Sequence, residues 1–202
     1  DICARALIMI GAEPITSFTD GTTESKVASN LYTDTIKNLL SSYRWRFATK
    51  QSQLSWLTAT PDARWESAYQ IPSDSLAIHG IFINDKAIKY DRYGDMVYCD
   101  ATSTDVVYAD YTFYDETATN PAIFFPPYFI YTAELTMAAI FGFAVAQNTE
   151  LSTVMEQKAA RQLAYARAMD SQQNTTKKLS TNRFANTRNN TSTSGIEGIV
   201  ET

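Results

Sequence analysis

The sequence predicts an α+β fold: an antiparallel helical bundle with a small antiparallel β lobe inserted into it and an extended C-terminal arm. Three observations predict it. Apolar residues recur at helical spacing in the first and last thirds of the body, and they nearly alternate in the stretch between. Clusters of proline and glycine separate these stretches. After Asp170 the composition turns to Ser, Thr, Asn and Gln. The expected division is 1–67 and 118–170 for the two parts of the bundle, 68–117 for the β lobe and 171–202 for the arm.

Residues 2–10 read as a short helix that Gly11 stops and Pro14 keeps from resuming. Thr22 or Thr23 can cap a second helix, with Glu24 in its first turn. Val27, Leu31, Thr35 and Leu39, flanked by Ala28, Tyr32, Ile36 and Leu40, give that helix a broad apolar stripe ending near Tyr43. The next stretch, 43–56, interleaves Trp45, Phe47, Leu54 and Trp56 with Arg44, Arg46 and Lys50. Aromatics among cations can stack on bases or sugars. The favoured reading is that Trp45 and Phe47 plug the core below the second helix.

From Tyr69 the period shortens. Leu76, Ile78, Ile81 and Ile83 nearly alternate, with Gly80 as an expected kink or bulge. Asn84-Asp85 and the segment from Arg92 to Asp95 read as turns between four or so strands ending near Tyr114. Pro121, Pro126 and Pro127 block continuation. A third helix is expected over 128–147. A fourth, capped by Asn148 or Thr149, carries Leu151, Val154, Met155, Ala159, Leu163, Ala166 and Met169 at helical spacing. The arm is too polar to bury enough apolar surface to fold by itself, so it orders only against a neighbouring subunit, a partner or its own body.

The chain has 202 residues, 45% of them hydrophobic and only 19% charged. Surface built from uncharged polar groups is cheaper to desolvate against a partner than charged surface. The net charge of −5 divides into +2 for residues 171–202 and −7 for the rest. So acidic a body presents no general nucleic-acid-binding face and suits a channel past which DNA slides without sticking. Cys3 and Cys99 form no CxxC pair, so no zinc spacing arises, and one bridge between them stays open. No run of about 18 apolar residues predicts a membrane span. The opening stretch has no basic leader and does not read as a secretory signal.

No metal-ligand spacing, nucleotide loop or nucleophile motif is present. His79 is the single histidine, in an expected strand without ligand partners beside it. No catalytic, cofactor-binding or metal-binding residue is therefore assigned, and no cofactor is expected. A glycosidase needs only two well-spaced carboxylates, for which Asp110, Asp115, Glu116 and Glu134 are the candidates. With 22 acidic residues, some pairing arises by chance.

The order of short motifs carries a resemblance. A helix ends in Ile10-Gly-Ala-Glu-Pro-Ile15, followed by Ser17-Phe18-Thr19-Asp20 and a long amphipathic helix. That helix leads into Tyr43-Arg44-Trp45-Arg46-Phe47-Ala48, and then come Tyr69-Gln70-Ile71-Pro72-Ser73-Asp74-Ser75-Leu76 and Val107-Tyr108-Ala109-Asp110-Tyr111. Over about residues 4–170 the chain resembles the tail tubular protein A family, the head-to-tail adaptors (connectors) of podovirus-type bacteriophages. The matching residues are structural: Gly11 and Pro14 reverse the chain, Trp45 and Phe47 seal the bundle base, Pro72 stiffens the lead-in to the sheet, and Asp74 satisfies nearby backbone donors.

The resemblance implies a non-enzymatic virion protein at the head-to-tail interface, made in the bacterial host cytoplasm. It implies a dodecameric ring between the portal protein and a tubular tail nozzle, closing the channel through which DNA is ejected. The helical lobe would face the portal and the β lobe the nozzle. A tail fibre or spike would dock outside, and the arm would clasp the portal. In that arm, Lys177, Lys178, Arg183 and Arg188 suit acidic grooves and Phe184 suits an anchoring role. Two rivals stand beside this expectation. One is a tail-associated carbohydrate-binding or cell-wall glycosidase module, which requires surface tryptophans and a cleft with paired carboxylates. The other is a DNA-binding module built on Arg44–Lys50.

Overall fold

The computed structural model describes residues 2–58, 64–116 and 121–173. The fold is α+β. Its elements in chain order are α1 (Ile2–Met9), α2 (Thr23–Ser41), β1 (Thr49–Gln53), β2 (Ser55–Leu57), β3 (Ser67–Gln70), β4 (Ser75–Ile83), β5 (Lys86–Ile88), β6 (Tyr90–Tyr93), β7 (Met96–Cys99), β8 (Val107–Phe113), a 3-10 turn (Pro121–Phe124), α3 (Pro127–Ala144) and α4 (Thr149–Gln172).

Helix α3 is apolar on nearly every side, and such a helix is stable only when surrounded. Phe129, Ala133, Leu135, Met137, Ala138, Ala139 and Phe141 are all buried, and α1, α2 and α4 each pack on it. The turn into α4 is tight. Gln147 takes a positive φ of 49°, and the Asn148 side chain caps α4 by accepting from Leu151 N at 3.0 Å. Gly142 lets the helices approach closely, since a Cβ there would lie 3.3 Å from Ser152 Cα and N. Helix α2 is capped by Thr22, whose hydroxyl accepts from Ser25 N. Its buried face is Ala28, Ile36, Leu39 and Leu40. Leu31, expected in the stripe, is exposed.

The β region differs from the expectation of one lobe confined to 68–117. It begins at Thr49 and holds two four-stranded antiparallel sheets, ordered β1-β8-β4-β5 and β2-β3-β7-β6. Strand β1, Thr-Lys-Gln-Ser-Gln, contains no apolar residue, so its sequence offers no alternation to read. Pairing makes it a strand, from Thr49 opposite Thr112 to Gln53 opposite Tyr108. Single residues carry the chain between sheets at both margins: Leu54 joins β1 to β2, and Lys89 joins β5 to β6. The sheets thus close on each other, and edge strands that pass into the facing sheet leave little free edge. Their shared core contains Leu54, Tyr69, Val97 and Cys99 with Ile81, Val107, Ala109 and Tyr111.

The expected irregularity at Gly80 is present as a register shift between Ile78 and Gly80. The Phe82 ring lies where a Gly80 side chain would be, 2.9 Å from the position of a Cβ. Asn84 and Asp85, with φ of 48° and 64°, form the turn between β4 and β5, a geometry these residue types tolerate. Among the described residues, no helix is long and apolar enough to cross a membrane.

Candidate functional site

The motif residues occupy the places where the chain changes direction. Gly11 ends α1 with φ of 76°, and the N–H groups of Gly11 and Ala12 return to the carbonyls of Ile8 and Leu7 at 3.0 Å. Beyond Pro14, the Asp20 carboxylate accepts from the backbone N–H groups of Thr16 and Ser17 at 2.7 and 2.9 Å. Those donors, Ser17 foremost, hold its pKa below the ordinary carboxylate value.

Trp45 is fully buried beneath α2, its indole N–H donating to Leu39 O at 2.9 Å. Tyr43, Phe129 and Phe47 surround it with ring centroids 5.1, 5.2 and 5.7 Å away. Phe125 extends this aromatic cluster, 4.9 Å from Phe129 and 5.9 Å from Phe47. Trp45 therefore serves the core, and the adjoining cations have partners within the chain. Arg44 reaches Asp110 at 3.3 Å, Arg46 donates to Gln173 O at 3.3 Å and Lys50 meets Asp74 at 2.9 Å.

Asp74 departs from its expected role. Its carboxylate accepts from Lys50 Nζ and from the Tyr111 hydroxyl, and its backbone carbonyl takes the Tyr114 N–H at 2.9 Å. Side-chain donors reach it because Pro72 starts a turn, closed by Ser75 N to Pro72 O, that directs Asp74 toward β1 and β8. His79 Nε2 lies 2.7 Å from Thr112 Oγ1. Burial, then the nearby Arg44, lowers its pKa, and Asp110 opposes the shift. Cys3 and Cys99 are free thiols in separate cores, each pushed up to about 11 chiefly by burial.

Of the four candidate carboxylates, Asp115 and Glu116 line one polar cleft, which Asp110 and Glu134 do not. Asp110 is held by Arg44 and Gln51, Glu116 pairs with Lys37, and Glu134, only 5% exposed, accepts from Arg5 at 3.2 Å. Trp56 is exposed at the margin of its sheet, and the Trp65 indole donates to Asp91. Among the described residues, no group of three or more His, Cys, Asp or Glu is placed to hold a metal ion.

Two further features give no sign in the sequence. Asp170 is fully buried in the last turn of α4, where the helix dipole disfavours a carboxylate. Its oxygens accept from Arg46 N and from the Tyr128 hydroxyl, both at 3.0 Å. Burial and the Asp170 carboxylate together push the Tyr128 phenol up to about 12. Gln173 completes this latch by donating to the Tyr128 hydroxyl.

The second feature is a recess where the β sheets meet the start of α3. It is walled by Phe47, Ala48, Phe113, Tyr114, Phe124 and Phe125, with Asp115 at its border. Ile123 and Phe124 stand beside it with 68% and 69% of their surface exposed. A wider polar cleft shares Tyr114 and Asp115 with the recess and adds Lys37, Ser73, Asp74, Leu76 and Glu116. The arm residues Lys177, Lys178, Arg183, Phe184 and Arg188 lie outside the described residues. No protein-family model and no curated protein matches the sequence.

Proposed function

We propose that this chain is a structural virion protein, a head-to-tail adaptor that assembles as a ring between portal and tail nozzle and lets DNA pass without specific contact. The observation that carries this reading is the coincidence of motif and fold. The residues of the family resemblance, Gly11, Pro14, Trp45, Phe47, Pro72 and Asp74, stand in order at the helix stop, the aromatic plug and the lead-in to the sheets. In this reading the four helices form the antiparallel bundle that faces the portal, the closed sheets face the nozzle, and 171–202 is the clasping arm. Surface aromatics and aliphatics on several elements, including Ile8, Leu31, Tyr108, Phe143 and Tyr165, support burial against neighbours on more than one side. A ring built from heterologous contacts needs two different faces per subunit.

Light scattering on the purified chain, alone and mixed with a portal ring, tests the reading. The expected result is a complex of twelve copies formed on the portal. Deleting 174–202, which spares the Asp170 latch, is expected to leave a folded body that no longer binds portal. A full-length chain that ignores the portal overturns the proposal. The exposed Trp56 and Tyr93 favour one alternative, a carbohydrate-binding tail module. Under that alternative, binding to host surface glycan is retained without portal and lost in Trp56→Ala.

A further inference from the structure

The recess beside α3 and its adjoining cleft together offer an aromatic pocket next to a carboxylate-rich one. Phe47, Phe113, Phe124 and Phe125 supply ring faces and edges on the apolar side. Asp74, Asp115 and Glu116 line the polar side against Lys37, with Lys50 bonded to Asp74. A segment suited to both halves is short and carries a cation directly beside an aromatic ring. The chain holds such a dipeptide downstream of its last helix. Arg183-Phe184 is preceded by Lys177 and Lys178, and Phe184 is the single aromatic after Tyr165.

The chain also leaves the described structure at the right place. Arg46 and Tyr128 hold Gln173, and the Tyr128 ring lies 6.4 Å from the ring of Phe47, which walls the recess. The eleven residues from Gln173 to Phe184 span at most about 40 Å, enough to reach every wall of the recess. Attachment through so short a tether gives an effective concentration on the order of millimolar, so even a weak contact is populated.

We propose that this recess is the docking site of the chain's own C-terminal segment. The Phe184 ring inserts among Phe47, Phe113 and Phe124, and Arg183 lies against the carboxylates of the adjoining cleft. The isolated chain then keeps its most adhesive residues against its own body. A partner that binds the segment frees both the segment and an apolar recess at one stroke. The inference does not depend on the adaptor reading, because it concerns the chain without partners.

Photo-crosslinking tests it on the full chain in the absence of portal, with Phe184 replaced by p-benzoylphenylalanine and the adducts mapped by mass spectrometry. The expected adducts are intramolecular, fall on residues 47–48, 113–115 and 124–125, and drop at least tenfold in Phe124→Ser while Phe124→Leu preserves them. Phe124 is exposed enough for both variants to fold, which circular dichroism checks. Arg183→Glu is expected to reduce the yield several-fold at low salt and less at high salt, where the ionic half is screened. Adducts scattered elsewhere, adducts only between two chains, no adducts, or a yield indifferent to Phe124→Ser each overturn the proposal. A failure here leaves portal binding untouched, and a failure of portal binding leaves these adducts unexplained by any partner, so the two readings fall separately.

Discussion

In the helical part, burial is concentrated on one element: α3 contributes ten buried residues and every other helix packs against it. In the β region, burial is distributed: β3, β4, β7, β8 and the Leu54 joint place buried side chains in a shared interior, and β5 and β6 add the partly buried Ile88 and Tyr90. The first arrangement depends on a few large aromatics meeting correctly, the second on closure of two sheets through Leu54 and Lys89. They meet at a seam where Ala48, Leu76 and Tyr114, from strands or their flanks, pack into the helical core.

The largest expected effect breaks this comparison open. Trp45→Ala removes the centre of the aromatic cluster and is expected to cost about 4 kcal/mol, and Ile81→Ala in the sheet interior about 3 kcal/mol. Urea unfolding followed by tryptophan fluorescence and by far-ultraviolet circular dichroism checks both. If the seam couples the regions, each variant shifts one common transition. Two separated transitions show that the regions unfold independently.

Asp170→Asn sharpens the picture at smaller scale, since one of the two donors on a fully buried carboxylate loses its acceptor, at roughly 2 kcal/mol. The same latch predicts a pH dependence. The Tyr128 phenol is raised to about 12 in the folded chain against about 10 when unfolded. Its contribution to stability is therefore complete below pH 10 and lost as the pH rises through 12. Ultraviolet titration of Asp170→Asn is expected to show this phenol ionising at lower pH than in the parent chain, though still above its ordinary value because it remains buried. Gly11→Ala probes the smallest effect. The position has open space around it but a φ of 76°, so only backbone strain opposes the methyl group, at about 1 kcal/mol.

Periodicity served well where local chemistry decides structure. The Thr22 and Asn148 caps, the bulge at Gly80 and the burial of Trp45 could all be read from neighbouring residues. It failed where partners are distant. The sequence of β1 is uniformly polar, and only pairing with β8, more than fifty residues on, makes it a strand. Asp170 resembles any solvated helix-end acid until Arg46 N, 124 residues earlier, is brought to it. The recess was equally invisible, since Phe47, Phe113 and Phe124 come from three separate segments.

The insertion of the sheets between α2 and α3 also orders events in time. Among the described residues every strand lies between Thr49 and Phe113, whereas α1 and α2 acquire most of their packing surface when α3, beginning at Pro127, exists. A chain emerging from the ribosome can therefore complete its middle before its beginning. Until α3 emerges, Leu7, Ile36 and Leu40 lack the core that α3 supplies, and Trp45, already bonded to Leu39 of α2, lacks the Phe129 ring. Residues 2–45 therefore precede the strands in the chain yet complete their packing after them.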